Sequence, residues 1–216
     1  LEICKKYCQI FSNMRLISQD NKGLGVARNV GMKNVMSEYI VFVDSDDYVN
    51  KNMCEKIKKG IHLNTIDVLY FNASMQYDVP SNEKPMTHSE ELDYYKMSGK
   101  NYLYKSFPES HSFSACLAVY KASFLKGNNI SFPENTYFED NLFSLKVALE
   151  AESVYSISDK LYIRRCRANS IMSGEISVKK CIDTVSVQSS LWKCLKEKKV
   201  DIENEDFTRR FVLAGI

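Results

Sequence analysis

The sequence is short of residues that break a chain and of patterns that staple one. Its 216 residues include only eight glycines and four prolines, which excludes collagen-like and low-complexity chains. The longest apolar runs, such as Tyr39-Ile40-Val41-Phe42-Val43, are strand-length. They fall far below the roughly 18 residues of a membrane helix, and the opening residues do not read as a signal peptide. An excess of one charge is lacking as well. Lys and Arg number 29 against 27 Asp and Glu, a net charge of +2, so no basic footprint for nucleic acid is present. The seven cysteines (4, 8, 54, 116, 166, 181, 194) form no CxxC pair and no zinc-ligand spacing. Reduced thiols in a cytosolic protein, several of them in the core, are favoured over a disulfide framework or a metal site.

What is present is globular: 44% hydrophobic and 26% charged residues, enough for one good-sized domain or a domain with a small appendage. Leu1 to Cys8 forms an amphipathic helical pattern with neither a start methionine nor an N-cap, so the chain is expected to be a fragment entered in mid-element. Met14–Ser18 reads as a strand, Leu24 to Val35 as a helix, and Tyr39–Val43 as a strand buried on both faces. Together they predict a βαβ unit. A helix from Lys51 to about Ile61 and a strand over Asp67–Phe71 continue the alternation. Pro80 to Gly99 is a polar excursion without period, after which Ala115–Tyr120 predicts another strand. From Phe138 to Glu150, Phe138, Leu142, Leu145 and Leu149 fall on one helical stripe, with Phe143 and Val147 opposite, so this helix is expected to be buried on both sides. Val154–Ile157 and Lys160–Arg164 predict a hairpin about Ser158-Asp159. Val178 to Lys199 and a segment near Phe207 to Leu213 read helical.

Three features carry chemistry, and a pair of arginines joins them. Asp44-Ser45-Asp46-Asp47 directly follows the buried strand, at the end where open α/β sheets bind ligands. Three carboxylates crowd together cheaply only beside a cation. In extended backbone Asp44 and Asp46 point the same way, and hard oxygens suit Mg²⁺ or Mn²⁺ completed by substrate phosphates. The competing reading is a solvated loop in which Asp47 or Asn50 caps the next helix. Next, Asn21-x-Gly23 precedes Ala27-Arg28-Asn29-x-Gly31. Gly23 permits a sharp turn, and mid-helix Gly31 implies close packing on a neighbour. Arg28, at the edge of the Ala27, Val30 and Gly31 stripe, either reaches a phosphate or carboxylate at the strand ends or is a plain surface arginine. Last, Glu139-Asp140 opens the double-faced helix, where the helix dipole welcomes acids. Asp140 shares a side with Phe143 and Val147, and a partly desolvated carboxylate there has the character of a general base. Arg165 and Arg167 alternate onto one face, either as a clamp on a pyrophosphate or as a basic surface. His62, His88 and His111 have no partner spacing. Lys193, Lys196, Lys198 and Lys199 around Trp192 read as a solvated face rather than a membrane patch.

Taken in order, Asn21–Gly31, Glu38–Asp47, Ile130–Glu134, Phe138-Glu139-Asp140, Leu161–Arg165 and Asn169-Ser170-Ile171 resemble the family 2 inverting glycosyltransferases of the GT-A fold. The resemblance covers about residues 1 to 172 and leaves 173–216 as a C-terminal helical extension. It implies an α/β fold with a Rossmann-like, mostly parallel central sheet flanked by helices and lacking its first strands. It also implies transfer of a sugar, with inversion, from a nucleotide-diphosphate sugar (a UDP-sugar foremost) to a hydroxyl of a polysaccharide or glycolipid. Asp44 would contact the ribose, Asp46 with Asp44 would bind Mn²⁺ or Mg²⁺, and Arg28 with Asn21 would line the nucleotide side. Arg165 and Arg167 would face the diphosphate. Asp140, with Glu139 beside it, would deprotonate the acceptor, a saccharide or lipid-linked saccharide. A cytoplasmic protein is expected, with association at the inner face of the membrane and a homodimer both compatible. Two other classes stand beside this one: a nucleotidyltransferase, and a non-catalytic transferase-like binding module.

Overall fold

The computed structural model describes residues 1–62, 65–79, 92, 95–106, 113–167 and 177–200. Five strands form one sheet: β1 (Tyr39–Val41), β2 (Tyr48–Val49), β3 (Val68–Tyr77), β4 (Ala118–Lys121) and β5 (Val154–Cys166), in the order β1-β4-β3-β5-β2. β3 and β5 are parallel neighbours, and the other three pairings are antiparallel. β1, β3 and β5 thus share one direction. The sheet is α/β but mixed rather than mostly parallel, because β4 slots in reverse between β1 and β3, an insertion that strand–helix alternation does not reveal. Val68 to Phe71 of central β3 are fully buried, as expected of a strand covered on both faces.

Among the described residues there are seven α-helices: α1 (Glu2–Ile10), α2 (Leu24–Lys33), α3 (Met53–His62), α4 (Gly99–Ser106), α5 (Ala122–Gly127), α6 (Glu139–Glu150) and α7 (Val178–Glu197). The two-sided burial expected of α6 is observed. Phe143 and Val147 join the sheet core, while Leu145, Ala148 and Leu149 join a second cluster with Val187, Leu191 and Leu195 of α7. Cys116, Cys166 and Cys194 are buried free thiols.

Two expected elements are corrected. Met14–Ser18 forms no strand: it has no ladder partner among the described residues, and Met14, Leu16 and Ile17 stand 38–46% exposed. A strand exists only by pairing, so the expected βαβ unit reduces to α2 and β1. Nor does Ser158-Asp159 turn a hairpin. The segments on either side of it both pair with β3, in one continuous strand. β5 spends 13 residues alongside the ten of β3, and the excess is taken up in irregularities beside Asn72. The Asn72 side-chain amide donates to the Ser158 carbonyl at 3.0 Å and ties the irregularity down. Most of the Pro80 to Gly99 excursion, His88, His111, the Asn169-Ser170-Ile171 motif and the Phe207 to Leu213 segment lie outside the described residues.

Candidate active site

The acidic tetrad follows β1 as a tight turn rather than as extended chain, closed by the Asp47 N–H donating to the Asp44 carbonyl at 3.2 Å. The extended backbone on which the expected shared direction of Asp44 and Asp46 depends is therefore not what the chain adopts here. Asp44 and Asp46 each pair with an arginine, and Asp47 is held by uncharged donors. Asp44 Oδ1 accepts from Arg28 Nη2 at 2.8 Å. Asp46 Oδ2 accepts from Arg167 Nε at 2.9 Å and Nη2 at 2.7 Å, and this pairing holds the Asp46 pKa below the usual carboxylate range. Asp47 accepts from the Tyr162 hydroxyl at 2.6 Å and from the Arg165 N–H at 2.8 Å. That same hydroxyl accepts from the Asp44 N–H at 3.2 Å, so buried Tyr162 fixes both ends of the turn from β5.

Arg28 is the hub. It is 8% exposed and donates through Nη1 to Glu139 Oε1 at 2.9 Å as well as to Asp44. Its guanidinium lies 5.2 Å from the Phe132 ring centroid and 6.0 Å from that of Phe42, an aromatic floor on which a cation is held with little hydration. Burial works against its charge, but Asp44 and its other neighbours outweigh that and raise the pKa. The surface-arginine alternative is thereby excluded. So is the expected packing stripe: Ala27 and Gly31 are exposed, nothing crowds Gly31, and α2 buries Gly25, Arg28 and Asn29 instead. The cost of burying Arg28 and Asn29 is offset by the pairing of their polar groups. Asn29 both donates to the Phe132 carbonyl and accepts from its N–H, each at 2.9 Å. Gly25 is the residue where space is critical, since a methyl there would collide with the Pro133 carbonyl oxygen. Gly23 does make the sharp entry, at φ 87°, with its N–H donating to Asn21 Oδ1 at 3.1 Å.

At the start of α6, Glu139 is buried against Arg28, while half-buried Asp140 hydrogen-bonds no other side chain among the described residues. Burial, reinforced by the Glu139 charge and opposed by Arg28, pushes the Asp140 pKa up to about 6. Asp140 also feels the charge of Asp44, and Arg28 binds both Asp44 and Glu139, so the turn after β1 and the start of α6 are neighbours. Cys116 lies 3.8 Å from Arg28 Nη2; burial and Asp44 push this thiol up to about 12, leaving it un-ionised.

The family model described as glycosyl transferase family 2 matches residues 1–127, more than half of the chain. The chain belongs to glycosyl transferase family 2. Family relatives include the cholesterol galactosyltransferase of Borreliella burgdorferi, 28% identical over 192 residues, which cover 82% of this chain and 51% of that protein. The poly(ribitol-phosphate) beta-N-acetylglucosaminyltransferase TarS of Staphylococcus aureus is 29% identical over 165 residues, 75% of this chain and 27% of TarS. Among solved structures, S. aureus TarS 1–349 in complex with UDP-GlcNAc superposes with a TM-score of 0.70 at 26% identity, over 88% of this chain and 53% of that one. The fold is thus of the GT-A type. This chain spans about half the length of the first curated relatives it matches.

The structure brings Arg28, Asp44, Glu139 and Asp140 together, with Asp46 on the same turn as Asp44 and Arg167 paired to it from beyond the end of β5. It sends the Arg165 side chain elsewhere, to Asp78, and leaves Asn21 in its own turn. Tyr162 and Asn29 are the residues that sequence reading missed as parts of the site. Both lie inside the motifs that carry the family likeness, and that position was the available signal.

Proposed function

We propose that this protein transfers a sugar from a nucleotide-diphosphate sugar, a UDP-sugar foremost, to a saccharide or glycolipid hydroxyl with inversion. The observation that carries the reading is the Arg28 guanidinium bound to Asp44 and Glu139 at once. It draws the tip of β1 and the start of α6 to a single cleft, as a one-step displacement on one sugar ring requires. The acceptor hydroxyl approaches Asp140, which takes its proton. The new bond from oxygen to the anomeric carbon forms as the bond to the diphosphate breaks, and the nucleoside diphosphate leaves from the opposite face. Family membership favours this over the nucleotidyltransferase alternative.

The donor set is compatible with a divalent cation. No group of three or more His, Cys, Asp or Glu among the described residues forms a closed cage. Mg²⁺ and Mn²⁺ commonly need only one or two carboxylates plus phosphates. Asp46, assisted by Asp44, would supply these, each using the oxygen its arginine leaves open. When bound there, such an ion supplies charge neutralisation for the leaving diphosphate. Arg167 stands beside that position and shares the anionic load. No helix among the described residues is long and apolar enough to cross a membrane. Work at the cytoplasmic side of a membrane or in solution, on a polymer or a lipid-linked acceptor, both accord with the site.

The test incubates the protein with UDP-GlcNAc and other nucleotide-sugars, with and without Mn²⁺, and assigns released nucleotide and product anomer by NMR. The proposal expects nucleoside diphosphate, an inverted anomeric centre and loss of turnover in chelator. Pyrophosphate release, or a retained configuration, contradicts it.

A further inference from the structure

α7 lies beyond the residues matched by the family model, yet a buried carboxylate on it reaches the loop that leads into Glu139 and Asp140. Asp183, 9% exposed on α7, accepts from the Tyr137 N–H at 2.9 Å through Oδ2. Lys179, one turn earlier, donates to that same oxygen at 2.7 Å and to the Asn135 carbonyl at 3.1 Å, with its ammonium 5.5 Å from the Tyr137 ring centroid. The pair therefore grips residues 135–137, the run that delivers the chain into Phe138, Glu139 and Asp140.

That run is held in an unfavourable shape. Asn135 and Phe138 both have left-handed backbones, at φ 58° and 60°, and a bulky aromatic residue adopts this region only where its surroundings over-determine it. Phe138 is the N-cap of α6 and makes no side-chain cap hydrogen bond. The entry into the first turn of α6 is thus not fixed by a side-chain cap, which leaves the grip on the preceding loop to act beside the Arg28–Glu139 pair. The lysine and the backbone N–H hold the Asp183 pKa below the ordinary carboxylate range, so the grip persists at neutral pH.

Building on the transferase reading above, we infer that Asp183, buttressed by Lys179, is a positioning residue. It holds the 135–138 loop so that the Asp140 carboxylate faces the acceptor hydroxyl. Asp183 does not touch the donor side of the cleft, where Arg28, Asp44 and Asp46 act. Its loss therefore affects the chemical step more than donor binding.

The test uses the full chain with UDP-GlcNAc and Mn²⁺ as probe, reading UDP release alongside amide hydrogen exchange at Tyr137. Asp183→Ala is expected to lower kcat about tenfold or more while donor KM stays within about twofold, because small misplacements of a reacting group carry large rate penalties. Asp183→Asn keeps an acceptor for the Tyr137 N–H and is expected to restore most of kcat. Equal losses in both variants, an unchanged kcat in Asp183→Ala, or a parallel rise in donor KM overturns the inference. Should Asp183→Ala fail to fold, Lys179→Met decides: a several-fold loss of kcat supports the inference and an unchanged kcat overturns it. Faster exchange at Tyr137 in Asp183→Ala than in the wild type or Asp183→Asn tests the grip without any need for turnover. A wild-type chain that releases no UDP but shows that exchange response contradicts the transferase reading and leaves the grip on the loop established.

Discussion

Asp140 carries a conflict that sets its behaviour. Its pKa of about 6, against an ordinary 3.8, means that the folded protein binds this proton more tightly than the unfolded chain does. Ionised Asp140 therefore costs stability. The cost sets in as pH rises from about 4 to 6 and stays constant above. Asp140→Asn should consequently be more stable than the wild type at pH 7, by about 1–3 kcal/mol, with the gain vanishing below about pH 4. Urea titrations at the two pH values check this. Activity moves the other way if Asp140 is the base proposed above: a base must be unprotonated, so kcat/KM of the wild type should fall tenfold per unit below about pH 6. Arg28 has the opposite character. Removing it as Arg28→Met leaves Asp44 and Glu139 as neighbouring charges without their shared counter-ion, and unfolding should become easier by about 3–5 kcal/mol.

At the scale of elements, helices were legible and strand partners were not. The two apolar stripes of α6 follow from helical period alone, and the structure fills both of them. The packing of α2 was not legible by that route. Its buried face carries Arg28 and Asn29, whose burial depends on Glu139 and Phe132, residues more than 100 positions away. Period analysis weighs apolarity and has no access to such distant partners. β5 misled for a related reason. Ser158-Asp159 has the local chemistry of a turn, but pairing on both sides with the same ten residues of β3 overrides it. The α6–α7 interface yields a direct prediction. Leu191→Ala removes a side chain that is 1% exposed between those helices and should cost about 2–5 kcal/mol, read from thermal or urea unfolding. By contrast α1 has no buried residue, so its amides should exchange far faster than those of β3.

Across the whole molecule, the candidate chemistry was largely readable from the chain, because Arg28, Asp44, Asp46, Glu139 and Asp140 all lie in short ordered motifs. What those motifs do not contain is the geometry that unites them: the turn after β1, the tyrosine reaching in from β5 and the arginine spanning both acidic groups. These arise from tertiary closure, and local pattern does not encode it. The account rests on a division of labour in one cleft, with donor held at the β1 turn and acceptor activated at α6. Calorimetric titration of UDP-GlcNAc with Mn²⁺ into Asp140→Asn, run beside UDP release by the same preparation, tests that division most directly. Donor affinity within about twofold of wild type, with turnover at least about 100-fold lower, is the predicted result. Turnover at the wild-type rate in that variant would contradict the account.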